Sequence, residues 1–208
     1  KNLIFVICHV FISFFKVMTT PKNKVLFLSA WYPNRRDDML GLFVKRHAQA
    51  VASYYNVCVL YIHSDNILKN NIYEIEEKKI EKDYEIIVYY RPATSGYSLL
   101  KPFINSFRYL KSFYLGWKRV KEYFGTPDII QVNILTRAAV PALFFKIFYN
   151  IPYIIVEHWS RYLPNVNTYK GLLRKIFTKI VVSKANALLV VSKNLLKAMK
   201  LHHLENKN

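Results

Sequence analysis

An α/β layer fold on a mainly parallel sheet is predicted by two features of this sequence. From Lys24 onward, short β-branched apolar runs alternate with longer amphipathic stretches, the alternation that strand–helix–strand units produce. The apolar runs are also near-continuous rather than alternating with polar residues, as in strands covered on both faces. No internal repeat or low-complexity segment interrupts the pattern.

Lys24 to Ser29 (KVLFLS) is the first such run. The turn-rich stretch Ala30 to Leu40 follows, and then a helix from Gly41 to Tyr54 whose apolar stripe runs Phe43, His47, Ala50, Val51, Tyr54. Val57 to Ile62 is the second strand. Tyr84 to Tyr90 is the third, closed by Arg91-Pro92 because proline cannot donate to a ladder. Between them Glu74 to Lys82 gathers much of the acidic content and reads as a solvated connector or an edge hairpin. A long helix is expected from Leu99 to Phe124, interrupted near Gly116 and ended by Gly125-Thr126-Pro127. Asp128 to Val132 gives a fourth strand, Arg137 to Tyr149 a helix, and Pro152 to Glu157 a fifth strand. The loop His158 to Asn167, a basic helix Tyr169 to Ser183, the strand Ala187 to Val191 and a helix capped by Ser192 complete the order. Six strands alternating with helices make a Rossmann-like, doubly wound sheet, whose ligands sit at the carboxyl ends of the strands. Chemistry is therefore sought after Ser29, Val132, Glu157 and Val191.

Composition narrows the class of partner. In 208 residues, 52% are hydrophobic and 16% aromatic, with 5 Gly, 8 Pro and 2 Cys, which excludes a disordered linker, a collagen-like repeat and a disulfide-built module. Cys8 and Cys58 read as ordinary small apolar residues. A net charge of +18 favours an anionic partner: nucleic acid, a phosphorylated ligand or an acidic membrane. Ten of the basic residues lie between Arg161 and Lys207 against Glu205 alone. A second group, Lys101, Arg108, Lys111, Lys118, Arg119 and Lys121, is interleaved with Phe103, Phe107, Tyr109, Phe113, Tyr114 and Trp117. That mixture suits an anionic membrane surface, with Lys111, Lys118, Lys121 and Trp117 at headgroup level, or else a solvated helix face. Nucleic acid is not expected as a partner, because no helix-turn-helix, RRM or zinc pattern frames the charges.

Two strand-end loops carry candidate site residues. Gly41 opens the first helix with Arg35, Arg36 and Lys45 nearby, a place where backbone N–H groups can meet a phosphate. The structural alternative is an ordinary turn capped by Asp37 or Asp38. The fifth strand ends in Glu157-His158-Trp159-Ser160-Arg161, where His158 can serve a substrate hydroxyl with Glu157 orienting it, or can bond to a backbone carbonyl. No metal is expected, since His202-His203 lacks a third ligand and reads as solvated surface. Leu3 to Phe15 is apolar but shorter than a bilayer span and lacks a small-residue cleavage site. Residues 1–17 are expected to be upstream read-through ahead of a start at Met18, with a weak hydrophobic anchor as the alternative.

These pieces resemble the N-terminal, acceptor-side domain of the family-4 glycosyltransferases, retaining bacterial enzymes whose GT-B fold pairs two Rossmann-like halves. The resemblance rests on Val25 to Asn34 (VLFLSAWYPN), Gly41 to Ala48 (GLFVKRHA), Pro152 to Ser160 (PYIIVEHWS) and Ala187 to Leu195 (ALLVVSKNL), in the family's order across residues 18–200. It implies transfer of a sugar from a nucleotide-sugar, acting as co-substrate, to a saccharide or lipid-linked acceptor in surface polysaccharide biosynthesis, with no cofactor or metal. It places Gly41 near the donor phosphates, His158 as the catalytic residue, and Glu157, Trp159 and Arg161 against substrate. It also implies a second, donor-binding domain with an acidic motif and a basic pair. Residues 201–208 read as a truncated tail or the start of an interdomain linker, so the chain is expected to be inactive alone. The location implied is cytoplasmic, peripheral on the inner membrane face. A non-catalytic basic module holding an anionic membrane or lipid-linked sugar is the alternative.

Overall fold

The computed structural model describes residues 23–68, 70–80, 83–94, 100–135, 137–166 and 168–206. The expectations for residues 1–17, the start at Met18 and Cys8 lie outside them. Seven strands form one sheet: β1 (Lys24–Ser29), β2 (Asn56–Ser64), β3 (Tyr73–Ile80), β4 (Asp83–Tyr90), β5 (Ile129–Asn133), β6 (Tyr153–Glu157) and β7 (Ala187–Val190). Their order is β3-β4-β2-β1-β5-β6-β7, parallel throughout except for the β3–β4 pair. Leaving aside β3, the strands run 3-2-1-4-5-6, the order of a Rossmann-like, doubly wound sheet. The chain is therefore an α/β protein of the class its sequence predicts.

Helices cover both faces unequally. On one face α1 (Leu42–Ala52) sets Val44, Ala48 and Val51 onto Val25, Phe27, Val57, Val59 and Ile87. On the other, α2 (Lys101–Tyr123), α3 (Ala139–Tyr149), α4 (Leu172–Lys184) and α5 (Lys193–Leu201) close over a larger core that includes Leu26, Leu60, Val88, Ile130, Tyr153 and Ile155. Val25, Leu26 and Phe27 are wholly inaccessible. Each such side chain contributes about 2 kcal/mol by leaving water, which is why unbroken apolar runs become central strands. Ser192 caps α5 as expected, its hydroxyl accepting the Leu195 N–H at 3.1 Å.

One open reading is decided and three expectations change. The acidic stretch after residue 73 is the edge strand β3, antiparallel to β4, so of the two readings, connector or edge hairpin, the hairpin holds. The long helix is not interrupted at Gly116. Instead, a Cβ there would stand 2.4 Å from Leu60 Cδ1 and 3.0 Å from Val88 Cγ2, so glycine lets α2 lie close on the sheet. In α1 the buried residues are Val44, His47, Ala48 and Val51, while Tyr54 is exposed, because the buried stripe is rotated toward Val44 and Ala48. His202 is not solvated: its Nε2 lies 3.1 Å from the Tyr162 carbonyl oxygen and its ring packs on Tyr169.

Candidate functional site

In this sheet the chain order reverses between β1 and β5, and the crevice beyond their carboxyl ends is where a ligand fits. Three strand ends shape it. At the end of β1 the Ser29 hydroxyl accepts the Trp31 N–H and donates to the Trp31 carbonyl, bending the chain so that Trp31 forms part of the cleft wall. After β5, Ile134 adopts φ 67°, a left-handed conformation that costs a buried β-branched residue about 1–3 kcal/mol. It is held there because its N–H donates to the Val156 carbonyl at 3.0 Å and the next N–H, that of Leu135, donates to Glu157 Oε2 at 2.8 Å. The strained turn carries Arg137 to the cleft. After β6, Glu157 Oε1 accepts the N–H groups of His158 and Trp159 at 2.9 and 2.8 Å, fixing the loop that bears Trp159 and Arg161.

The resulting cleft encloses about 600 Å³. Its walls carry Trp31, Tyr61, His63, Tyr90, Tyr109, Trp159 and three arginines: Arg137, Arg161 and Arg174. None of the described residues that line it is a carboxylate. Trp31 and Trp159 pack with ring centroids 5.2 Å apart, and the Arg161 guanidinium lies 3.5 Å over the Trp159 ring. Burial holds the Arg161 guanidinium below its ordinary range, and Arg174 pushes the same way. His63 is held below the usual histidine value by burial, so its ring is neutral at pH 7. Its Nδ1 lies 2.9 Å from the Tyr61 hydroxyl.

The expected site residues divide into two layers. Trp159 and Arg161 stand on the cleft wall, while Glu157, His158 and Gly41 do not. Glu157 is wholly buried, and burial raises its carboxyl above the ordinary value against the pull of the Trp159, Leu135 and His158 N–H groups. It positions backbone and does not reach the cleft. His158 packs its ring 4.4 Å from that of Phe43, and its buried Nε2 has no hydrogen-bond partner among the described residues. Burial, and to a lesser degree His47, lower the His158 imidazole to about 4, so it is neutral at pH 7. Gly41 has φ 64°, and a Cβ there would lie 2.4 Å from the Trp31 carbonyl oxygen, so its missing side chain serves the packing of its own loop.

The cations expected around Gly41 are engaged elsewhere. Arg35 pairs with Asp65 at 3.1 Å and with Glu74, Arg36 pairs with Asp65 at 3.0 Å, and Lys45 lies 3.2 Å from Glu85. Asp37 Oδ1 accepts the Met39 and Leu40 N–H groups, which shapes the loop ahead of α1 without capping it. The sequence reading missed Arg137, Arg174, Tyr61, His63, Tyr90 and Tyr109 as cleft residues. The strand-end rule reaches Tyr61, His63 and Tyr90 once it is applied to β2 and β4 as well.

Fold and cleft together define a Rossmann-like domain with an aromatic, arginine-lined cleft at its switch point. No protein-family model matches the chain, and no curated protein sequence matches it.

Proposed function

We propose that this domain is the acceptor-side half of a retaining glycosyltransferase, moving a sugar from a nucleotide-sugar to a saccharide or lipid-linked acceptor in surface polysaccharide biosynthesis. One observation carries the reading: four segments far apart in the chain, those that resemble the family's motifs, meet at one carboxyl edge of the sheet. Trp31 packs on Trp159, Phe43 packs on His158, and the Val191 N–H donates to the Glu157 carbonyl. In this reading the aromatic walls pack against the C–H faces of acceptor sugar rings. His158 keeps the catalytic role that the resemblance implies, its neutral imidazole standing behind the cleft wall against Phe43. A second domain supplies the contacts to the donor diphosphate, with Gly41 near the seam between the two.

The reading includes work at an anionic membrane surface, as a peripheral partner on the cytoplasmic side. No helix among the described residues is long and apolar enough to cross a membrane. Contact instead comes from outward faces: Leu100, Phe103, Phe107, Leu110 and Tyr114 follow one another at helical spacing along α2, and Phe103 is 76% exposed. Leu172 and Leu173 on α4 are exposed as well. Trp117 plays no part, since it is half-buried with its ring 4.3 Å from Phe145. Lys111 and Lys118 are exposed on the same helix and supply the charge that complements an acidic surface. Lys121 donates to Thr126 Oγ1 while remaining exposed.

The test of transfer is label incorporation from nucleotide-sugars into lipid-linked saccharides, measured in membranes of cells making this domain together with a donor-binding domain, in wild-type or His158→Ala form. The proposal expects incorporation to fall by about a hundredfold, the range typical for a positioned acid, base or donor group. Equal incorporation removes His158 from the reaction, and incorporation that does not depend on the protein at all removes the reading.

A further inference from the structure

Three arginines converge on the cleft from separate elements: Arg137 ahead of α3, Arg161 in the 3-10 turn Ser160–Tyr162, and Arg174 in the first turn of α4. No described carboxylate lies within ion-pair distance of any of them, whereas Arg35, Arg36, Lys45 and Arg119 all have such partners. Arg161 is the most constrained. Its guanidinium carbon lies 3.5 Å over the Trp159 ring, which packs against Trp31, and its buried Nε has no acceptor among the described residues. Ala138, the N-cap of the 11-residue helix α3, also lines the cleft, so the positive end of that helix adds the same sign of potential. Like charges gathered in a cleft without a counter-charge form a site whose occupant is an anion. With about 600 Å³ available, a phosphate fills a small part of the volume and leaves Tyr61, Tyr90, Tyr109 and Trp31 for what the phosphate is attached to.

We propose that Arg137, Arg161 and Arg174 form a subsite for the diphosphate of an esterified ligand, with the attached organic group lying against the aromatic wall. The proposal rests on the glycosyltransferase reading only in taking that ligand to be a reactant or product of the transfer. Two sources share the chemistry, a polyprenyl diphosphate carrying the acceptor sugar and a nucleoside diphosphate.

The test is titration of the full chain with inorganic pyrophosphate, geranyl diphosphate and uridine diphosphate, followed by quenching of tryptophan fluorescence, since Trp31 and Trp159 border the site. Saturable quenching is expected from all three, with each of Arg161→Gln and Arg174→Gln weakening it about tenfold or more, as loss of one charge-assisted contact requires. Lys197→Gln on α5, exposed and outside the cleft lining, leaves it unchanged. Arg137 is exposed, so Arg137→Gln folds normally and gives a variant whose effect is on binding alone. Tighter binding of geranyl diphosphate than of uridine diphosphate assigns the lipid source, and the reverse order assigns the nucleotide. Binding that is absent, or equal in wild type and the three variants, overturns the subsite. Because these titrations involve no sugar transfer, they separate from the enzyme reading: lost incorporation in His158→Ala membranes with unaltered pyrophosphate binding in the arginine variants sinks the subsite alone.

Discussion

Two groups of cations flank the loop that leaves β1, and they are built in opposite ways. Arg35 and Arg36 converge on Asp65, itself 2% exposed, and Arg35 also pairs with Glu74 and stacks 4.0 Å over the Tyr89 ring. Arg137, Arg161 and Arg174 converge on a cavity with no carboxylate among the described residues of its lining. The first group ties the loop to the β2 and β3 ends and is consumed by that task. The second orders nothing through ion pairing, although it concentrates positive charge where a ligand fits. Charge alone therefore does not mark a site. What marks it is charge left unpaired in a cleft beside a loop whose two arginines, Arg35 and Arg36, are both paired.

The comparison breaks most visibly at Asp65. Burial works against its ionised form, yet Arg36, the Ile67 N–H and Arg35 together hold the carboxyl below its usual range. Asp65→Ala leaves two guanidiniums without their shared partner. Removing one side of a buried pair costs 3–5 kcal/mol, reduced here because both arginines reach solvent, so the expected loss is about 3 kcal/mol in urea unfolding. A loss under about 1 kcal/mol would show that the two groups do not differ in kind.

Acidification sharpens the contrast by separating the two regions. Burial lowers both His47 and His158 to about 4. These folded values lie below the value of about 6.5 for an unfolded histidine, so the unfolded chain takes up protons first as pH falls. Their contribution is fully present above about pH 6.5 and is lost as pH drops toward about 4, roughly 2 kcal/mol for the well-buried His47. Asp65 behaves differently: its lowered value keeps its contribution until pH falls below the ordinary carboxyl range. Hydrogen exchange at pH 7 and pH 5 is expected to show loosening around α1 and the β6 end, with protection near Asp65 unchanged. Equal loosening of both regions counts against the assignment.

Glu157 tests whether the cleft wall is held from behind. Its two oxygens accept three N–H groups, and Tyr162 Oη lies 3.4 Å from Oε2. Glu157→Gln turns one acceptor into an NH2 that meets donors, so stability should fall by about 1–2 kcal/mol and the fluorescence of Trp159 should change with it. Loss of stability without a change at Trp159 would leave Glu157 a core residue with no bearing on the cleft.

The central strands were legible because a run such as Val25 to Leu28 has one physical solution in a doubly covered sheet. The edge strand β3 was legible only as one of two readings, because Glu74, Glu76, Glu77 and Lys78 carry no apolar alternation of their own and pair only because β4 is already in place. Gly116 misled for a related reason: a helix-breaking residue in isolation becomes a packing residue once Leu60 lies beneath it. At the site, Trp159 and Arg161 were reachable from the rule that strand ends bear ligands. The gathering of Arg137 and Arg174 beside them was not, since it depends on where two helices cross the sheet. The placement of His158 behind Phe43 likewise depends on the crossing of α1.

The smallest expected effect is the most discriminating. Arg174 is exposed, has no described carboxylate within ion-pair distance, and disfavours the charge on Arg161. If it were structural, Arg174→Ala would cost stability as Asp65→Ala does. If it is held for a ligand, the folded state without ligand gains slightly from its removal, by less than about 0.5 kcal/mol, as exposed charge pairs allow. That gain should shrink as salt rises, because at 1 M the screening length of about 3 Å is shorter than the separation of two side chains that do not touch. Thermal unfolding of wild type and Arg174→Ala at low and high salt reads both quantities at once. A stability loss above 1 kcal/mol at either salt concentration would place Arg174 with the paired cations and remove the asymmetry on which the cleft argument depends.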